Sequence, residues 1–479
     1  MLNRTATALA LVAFTASCSS STEPEDDPIG AQMAADESLF DDRTPNALGH
    51  SSTVSINRIV QDSTNPFFRN MGVNGRNCGS CHLEELGWTV TPEYARTLPA
   101  RDPLFLFDGS DCLPPGTSNA NPGTNSTLML SKALVRVELP IPATADYTLA
   151  GFNDPLRCAT PPSAAKIRNY RRPLPSANTF FLSTVMWDGR ENVNPPNNTT
   201  DLIRANMAHQ ANDANRTHAQ ATADATDAIR QSIVSFQNGI FNAQQRNGFQ
   251  DLNGAAANGG AAFLYTNTRP NFFIGINDVL NCAIPNSCAP GRTATFTSQV
   301  FTIFKPWETN PPNDEGAAVG RGEIVFNTKS FPIDNVPGLN GPRDTIGLPS
   351  PFTGFCGSCH DSPNIGNHST SLPIDIGISA QFPVGGLDVA RLPTYTFREK
   401  SSGQTLTVTD PGRGLITGKF SDLGKMKGPN LRNLASRAPY FHNGSARDLN
   451  AVVNFYNTRF NIGFTPQEQS DLVAFLQAL

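Results

Sequence analysis

Two copies of one five-residue run carry the most distinctive chemistry available to this chain. Cys78-Gly79-Ser80-Cys81-His82 lies near the start and Cys356-Gly357-Ser358-Cys359-His360 lies near the end. Two thiols separated by two residues can each bond one vinyl group of a single haem. A histidine immediately after them can turn beneath the ring and ligate its iron. A bare Cys-x-x-Cys could instead be a redox dithiol or half of a zinc site. The adjoining histidine, present twice, favours c-type haem attachment over both.

The rest of the chain must position these runs. Its 479 residues allow two or three domains with buried cores. A net charge of −5 gives no broad basic surface for nucleic acid. Charged residues make up only 16%, against 38 glycines and 38 prolines, which suits an exported, loop-rich protein with few long solvated helices. Arg4 followed by the apolar run 8–14 reads as an export signal, too short to span a bilayer as a mature helix. Thr15-Ala16-Ser17-Cys18 resembles a lipoprotein box, so 1–18 is taken as signal and lipobox; ordinary cleavage nearby is the alternative. A lipid on Cys18 is then the single expected membrane contact, at the periplasmic or outer-membrane surface. Residues 19–45 read as a flexible tether, Ser- and acid-rich at first.

Of nine cysteines, Cys112, Cys158, Cys282 and Cys288 remain beyond Cys18 and the paired runs. An even number in an oxidising compartment suggests two disulfides. Three connectivities are open, the simplest joining Cys112 to Cys158 and Cys282 to Cys288.

Apolar spacing predicts helix across 201–246, with Ile229, Ile233, Phe236 and Ile240 on one face. It predicts another over Asp314–Thr328, using Val319, Ile324, Val325 and Phe326. Thr465-Pro466-Gln467-Glu468 is a capping box that should start a closing helix. The Pro-, Gly- and Asn-rich stretch 99–165 reads as a long loop insertion or lid, and 247–313 as mixed loops.

Four further segments are specific in combination: Lys427-Gly428-Pro429-Asn430-Leu431-Arg432-Asn433, Ala438-Pro439-Tyr440-Phe441-His442-Asn443-Gly444-Ser445, Trp187-Asp188-Gly189-Arg190, and Gln210-Ala211 with His218-Ala219-Gln220. With the paired runs they resemble the bacterial di-haem cytochrome c peroxidase and MauG superfamily over 72–90, 170–246 and 315–479. The resemblance implies a mainly α fold of two cytochrome c-type haem domains, 46–313 and 314–479, with long irregular loops and insertions. It implies two covalently bound haems with His82 and His360 as proximal ligands, and a calcium ion between them.

One haem of the family is open to peroxide and the other stores or relays electrons. Typical members place a methionine ligand fourteen residues after the histidine matching His442; here that position is Tyr456, as in the MauG branch. Phenolate is a hard ligand that stabilises ferric and higher states, whereas methionine favours reduced iron. Met426 is the rival ligand, and a packed aromatic is the plainer reading of Tyr456. Residues 83–105 lack the histidine that blocks the first haem in typical members, so that haem is expected to be open.

Gln210 matches the family glutamine of the peroxide pocket. The family's proton-moving glutamate falls at Gln220, which cannot titrate. His218 could take that role, or be an ordinary helix histidine. Trp187 is the candidate relay between haems. His442 is expected to hydrogen-bond near the second haem, with His209 and His368 structural or superficial and His50 in a loop.

The implied activity is a peroxidase-type oxidoreductase. It would reduce hydrogen peroxide, or use it to oxidise a substrate through high-valent iron, with a small cytochrome or copper protein as donor. The glutamate-to-glutamine change and the insertions leave room for a rubber-oxygenase type of di-haem enzyme using dioxygen. A plain electron-transfer cytochrome, with both irons six-coordinate, is the alternative from another class.

Overall fold

The computed structural model describes residues 40–56, 63–112, 122–191, 199–343 and 348–479. The export signal, Cys18 and the acid-rich 19–27 lie outside them. The far end of the expected tether does not: β1 (Phe40–Asn46) pairs antiparallel with β2 (Gly49–Ser55), so 40–45 is strand. His50 accordingly sits in β2 and not in a loop. β2 also pairs with β6 (Ile240–Asn247), and β7 (Gln250–Asp251) completes a sheet ordered β1-β2-β6-β7.

Helical spacing holds across two elements and then gives way. The helices α1 (Thr200–Thr217) and α2 (Asp227–Asn238) both start at a threonine, Thr199 and Thr226, whose hydroxyl accepts a first-turn N–H. Ile233 and Phe236 are buried on α2. Ile240, expected on the same helical face, begins β6 after the cap residue Gly239. It still joins the cluster of Phe67, Trp88, Ile233 and Phe236, because burial, not helical phase, is what the position requires.

The 99–165 stretch is not an open loop. β3 (Val135–Leu139) pairs with β5 (Ile167–Arg171), and β4 (Tyr147–Asn153) pairs with β10 (Thr394–Glu399), which carries β11 (Thr405–Val408) on its other edge. Tyr147, Tyr395, Phe397 and Val408 bury one face of that second sheet. The insertion and the C-terminal half are thus interlocked by backbone hydrogen bonds. Cys112 is bonded to Cys158 and Cys282 to Cys288, the simplest of the three connectivities.

The C-terminal helices follow their sequence signals. The helix α3 covers Asp314–Thr328, burying Val319, Val325 and Phe326 while Ile324 faces outward. After it, β8 (Phe331–Ile333) and β9 (Phe352–Gly354) pair, followed by α4 (Leu449–Phe460) and α5 (Pro466–Ala478). At the start of α5 the Thr465 hydroxyl accepts from the Glu468 N–H, and the Glu468 carboxylate accepts from the Thr465 N–H. A Cβ on Gly322 would stand 2.0 Å from the Asp471 carbonyl, so glycine is what lets α3 and α5 approach. Phe475, fully buried, meets Phe301 and Phe304 edge-on at their contact. Among the described residues the helices share the chain with a four-stranded sheet, a three-stranded sheet and two two-stranded ribbons. No helix among the described residues is long and apolar enough to cross a membrane.

Phe475→Ala empties the α3–α5 contact and should lower unfolding free energy by about 3–5 kcal/mol. Thr465→Ala should remove about 1 kcal/mol. Denaturant titration of both variants checks the ranking.

Candidate functional site

Each Cys-x-x-Cys-His run folds as a tight 3-10 turn, Cys78–Ser80 and Cys356–Ser358. The serine is local glue: Ser80 Oγ accepts from the Asn77 N–H (3.1 Å) and Ser358 Oγ from the Phe355 N–H (3.0 Å). The His82 and His360 amides donate to the carbonyls of Cys78 and Cys356, both at 3.0 Å, which sets each ring beside its thiol pair. His82 Nδ1 donates to the Trp88 carbonyl (3.0 Å) and His360 Nδ1 to the Gly366 carbonyl (2.6 Å). That bond fixes the tautomer and leaves Nε2 as the free ligand atom. Burial lowers both imidazoles to about 4, so they are neutral, the form that binds a metal.

The four cysteines are unpaired. Burial pushes Cys78, Cys356 and Cys359 up to about 12 and Cys81 to about 11. Unpaired, buried thiols beside a histidine with a free Nε2 fit thioether attachment of a haem.

Each run opens into its own cavity. The first is lined by Cys78, Cys81, His82, Met71, Gln210 and His218. The second is lined by Cys356, Cys359, His360, Met426, His442 and Tyr456. They share one wall, built from Arg172, Pro173, Leu174, Pro175, Trp187 and Lys427.

Three buried cations line the second cavity: Arg172, Lys427 and Arg437. Among the described residues their hydrogen bonds go to backbone carbonyls alone, as from Lys427 Nζ to Thr184 O at 2.8 Å. Burial lowers Lys427 to about 7, Arg172 to about 9 and Arg437 to about 10. Buried cations without a carboxylate are costly, and an anionic ligand offsets that cost. Apolar walls, a thiol pair, a neutral imidazole and cations for two propionates together fit a c-type haem.

The sequence-predicted residues divide between the two cavities. Tyr456, on α4, points its hydroxyl at His360, with Oη 3.4 Å from Nε2. Burial, with Cys359 and Cys356 adding to it, raises its phenol well above the ordinary range. Met426 lines the same cavity, but its methyl end turns toward Gly412, 3.2 Å from where a Cβ there would stand. His442 is buried with its ring edge-on to Trp187, centroids 6.1 Å apart.

Gln210 and His218 both reach the first cavity. Gln220 does not: the chain leaves α1 at His218 and Gln220 takes a left-handed backbone (φ 57°) outside the lining. His368 is buried beside Asp361 and so is not superficial, while His209 is 61% exposed and bonds Glu191 at 2.6 Å.

Trp187 stands in the shared wall, its indole N–H donating to Arg172 O (2.7 Å) and its carbonyl accepting from Lys427 N (2.8 Å). Below it, Arg171 bonds Asp410 through Nε (2.7 Å) and Nη2 (2.9 Å), and Asp188 through Nη1. Burial alone would raise both carboxylates; the Arg171 charge outweighs it and holds them below their usual range. Sequence reasoning missed this cluster, and also Asp108 and Arg76, because the partners lie far apart in the chain.

No protein-family model matches the chain. A cytochrome-c peroxidase of Denitromonas iodatirespirans is 32% identical over 140 residues, covering 26% of this chain and 36% of that protein. The cytochrome c551 peroxidase of Pseudomonas aeruginosa is 29% identical over 134 residues, covering 28% of this chain and 32% of its own. The chain therefore spans about a third of the length of these curated relatives. A solved MauG-like protein associated with microbial copper homeostasis aligns over 86% of this chain and 87% of its own, at 17% identity and a TM-score of 0.35. Over these matched segments the chain is similar to bacterial cytochrome c peroxidases.

Arg171→Met takes the main charge partner from two buried carboxylates, leaving Asp188 with Arg190 and Asp410 with the Gly412 N–H, and should cost about 3–5 kcal/mol at neutral pH. Both carboxylates have lowered folded pKa values. Their contribution is complete above about pH 4 and fades as pH falls through the folded values. The deficit of the variant relative to wild type should therefore shrink below pH 4, read from denaturant unfolding across that range.

Proposed function

We propose that the chain is a di-haem peroxidase-type oxidoreductase. One haem is held by Cys78, Cys81 and His82 within 46–313 and meets hydrogen peroxide. The other is held by Cys356, Cys359 and His360 within 314–479 and is closed by Tyr456. The observation that carries this reading is the 3.4 Å separation of His360 Nε2 and Tyr456 Oη inside one haem-sized cavity. His360 and Tyr456 would together hold the iron of a haem bound here, whereas Met426 would have to swing its methyl end away from Gly412 to do so.

When bound, haem supplies the redox-active iron. Everything else falls to side chains. Gln210 offers an amide to orient peroxide. His218 offers an imidazole that can take a proton from the incoming molecule and return it to the departing oxygen. Trp187, fixed at both its indole and its carbonyl, offers a rigid aromatic step across the shared wall. Gln220 has no part, since it lies outside the cavity lining. The two disulfides suit an exported protein, consistent with the 1–18 signal. The electron donor would then be a small exported cytochrome or copper protein.

Low-temperature EPR of the resting ferric protein should show one high-spin and one low-spin haem. Tyr456→Phe should abolish that low-spin signal while Met426→Leu leaves it. Two low-spin signals in wild type, or Soret bands unmoved by peroxide in stopped flow, would overturn the reading.

A further inference from the structure

Gln220 stands where a titrating carboxylate would be expected, and a carboxylate reaches the first cavity's histidine from another direction. We propose that Asp108 is a positioning residue for His218, with Arg76 holding Asp108, and that this relay replaces the missing acid–base group. The inference rests on the reading of the first haem as open.

His218 is pinned as the cap residue after α1: its amide donates to Ala214 O (2.8 Å) and its carbonyl accepts from Asn74 Nδ2 (2.7 Å). Its Nδ1 bonds an Asp108 carboxylate oxygen. The other Asp108 oxygen pairs with Arg76 Nη2 at 2.6 Å. Asp108 and Arg76 are 4% and 2% exposed, so this is a desolvated pair and not a surface contact. The turn bearing Asp108 is locked in place by Arg136, which donates to Ser110 O (2.8 Å) and Phe107 O (3.1 Å).

The chemistry follows from the bonding. A carboxylate accepting from Nδ1–H leaves the Nε2 lone pair free, and it stabilises the imidazolium that forms when Nε2 takes a proton. Burial alone would raise Asp108; the charges of Arg76 and His218 outweigh it and lower it to about 2, so it stays a carboxylate throughout. Asp108 is not among the residues lining the cavity, so it acts through His218. Among the described residues Asp108 bonds His218 directly and Arg76 pairs with Asp108 behind it. Nε2 would take one proton from hydrogen peroxide and return it to the departing hydroxide, which leaves as water, while the Nδ1 proton stays on the ring; a bound haem would supply the two electrons for the O–O cleavage and take up the second oxygen.

Cyanide binding to the ferric holoprotein isolates the proton step from turnover. Hydrogen cyanide must lose its proton before the anion ligates, so the on-rate reports the base. Asp108→Asn should slow cyanide association about 10- to 100-fold. The resting spectrum should be unchanged and Asp108→Glu should rescue in part. His218→Gln should slow it about 100-fold, and adding Asp108→Asn to it should slow it no further. A folded Asp108→Asn with the wild-type on-rate, or additive losses in the double variant, overturns the proposal. If Asp108→Asn does not fold, His218→Gln decides: wild-type cyanide kinetics there overturn it, and the stated loss supports it. Wild-type protein that takes no cyanide removes the open-haem reading and this proposal with it; wild type that binds while Asp108→Asn binds equally fast removes the proposal alone.

Discussion

One buried guanidinium holds the centre of this molecule together. Arg171 leaves the end of β5 and bonds two carboxylates from distant parts of the chain, Asp188 and Asp410, all of them almost fully buried. Burying three charges is expensive, and the interaction persists only if nearly every donor finds an acceptor. Here Nε, Nη1 and Nη2 each do. The energetic yield of such a cluster is small, but its geometric yield is large. It fixes β5, the Trp187 turn and the segment after β11 relative to one another, and those three pieces meet at the partition between the cavities.

That partition is stiff for reasons that are local in sequence. Pro173 and Pro175 restrict the backbone on one side. On the other, Met186 and Gly189 both adopt left-handed conformations around Trp187-Asp188 (φ 67° and 65°). A left-handed methionine is uncommon and is tolerated only where surrounding contacts over-determine it. The contacts are present: the indole N–H, the Trp187 carbonyl and the Asp188 carboxylate are all engaged. A side chain held this way cannot wander.

Legibility in the sequence was uneven along clear physical lines. The two Cys-x-x-Cys-His runs were readable because their whole pattern lies within five positions. The extent of α3 and the start of α5 were readable because capping and apolar periodicity act over one or two turns. The fate of Ile240 was not, since an apolar residue after Gly239 suits a strand as well as a helix. Strand β4 was hidden because its partner β10 lies more than two hundred residues away. Pairing at that distance leaves no local pattern. Tyr456 was reached through a fixed offset from His442, a signal carried by family resemblance; its aromatic surroundings on α4 would otherwise read as ordinary packing.

The stretch that looked most like filler turns out to carry structure up to the edge of the first cavity. Around Asp108, Asp111 caps the helical turn at Thr127 and Leu128 through both carboxylate oxygens (2.9 and 3.0 Å), and its carbonyl accepts the Tyr170 hydroxyl at 2.7 Å. Cys112, the next residue, is tied to Cys158. Polar side chains and a cross-link thus act beside a local apolar cluster that buries Leu104, Phe105, Met129 and Ala133. In a segment rich in Pro, Gly and Asn such clusters are short and aperiodic, so satisfied backbone groups and the cross-link share the work of ordering it. Order of that kind brings a carboxylate to a histidine with a defined angle as surely as a helix would, and it leaves no periodic trace for a reader of the sequence to find.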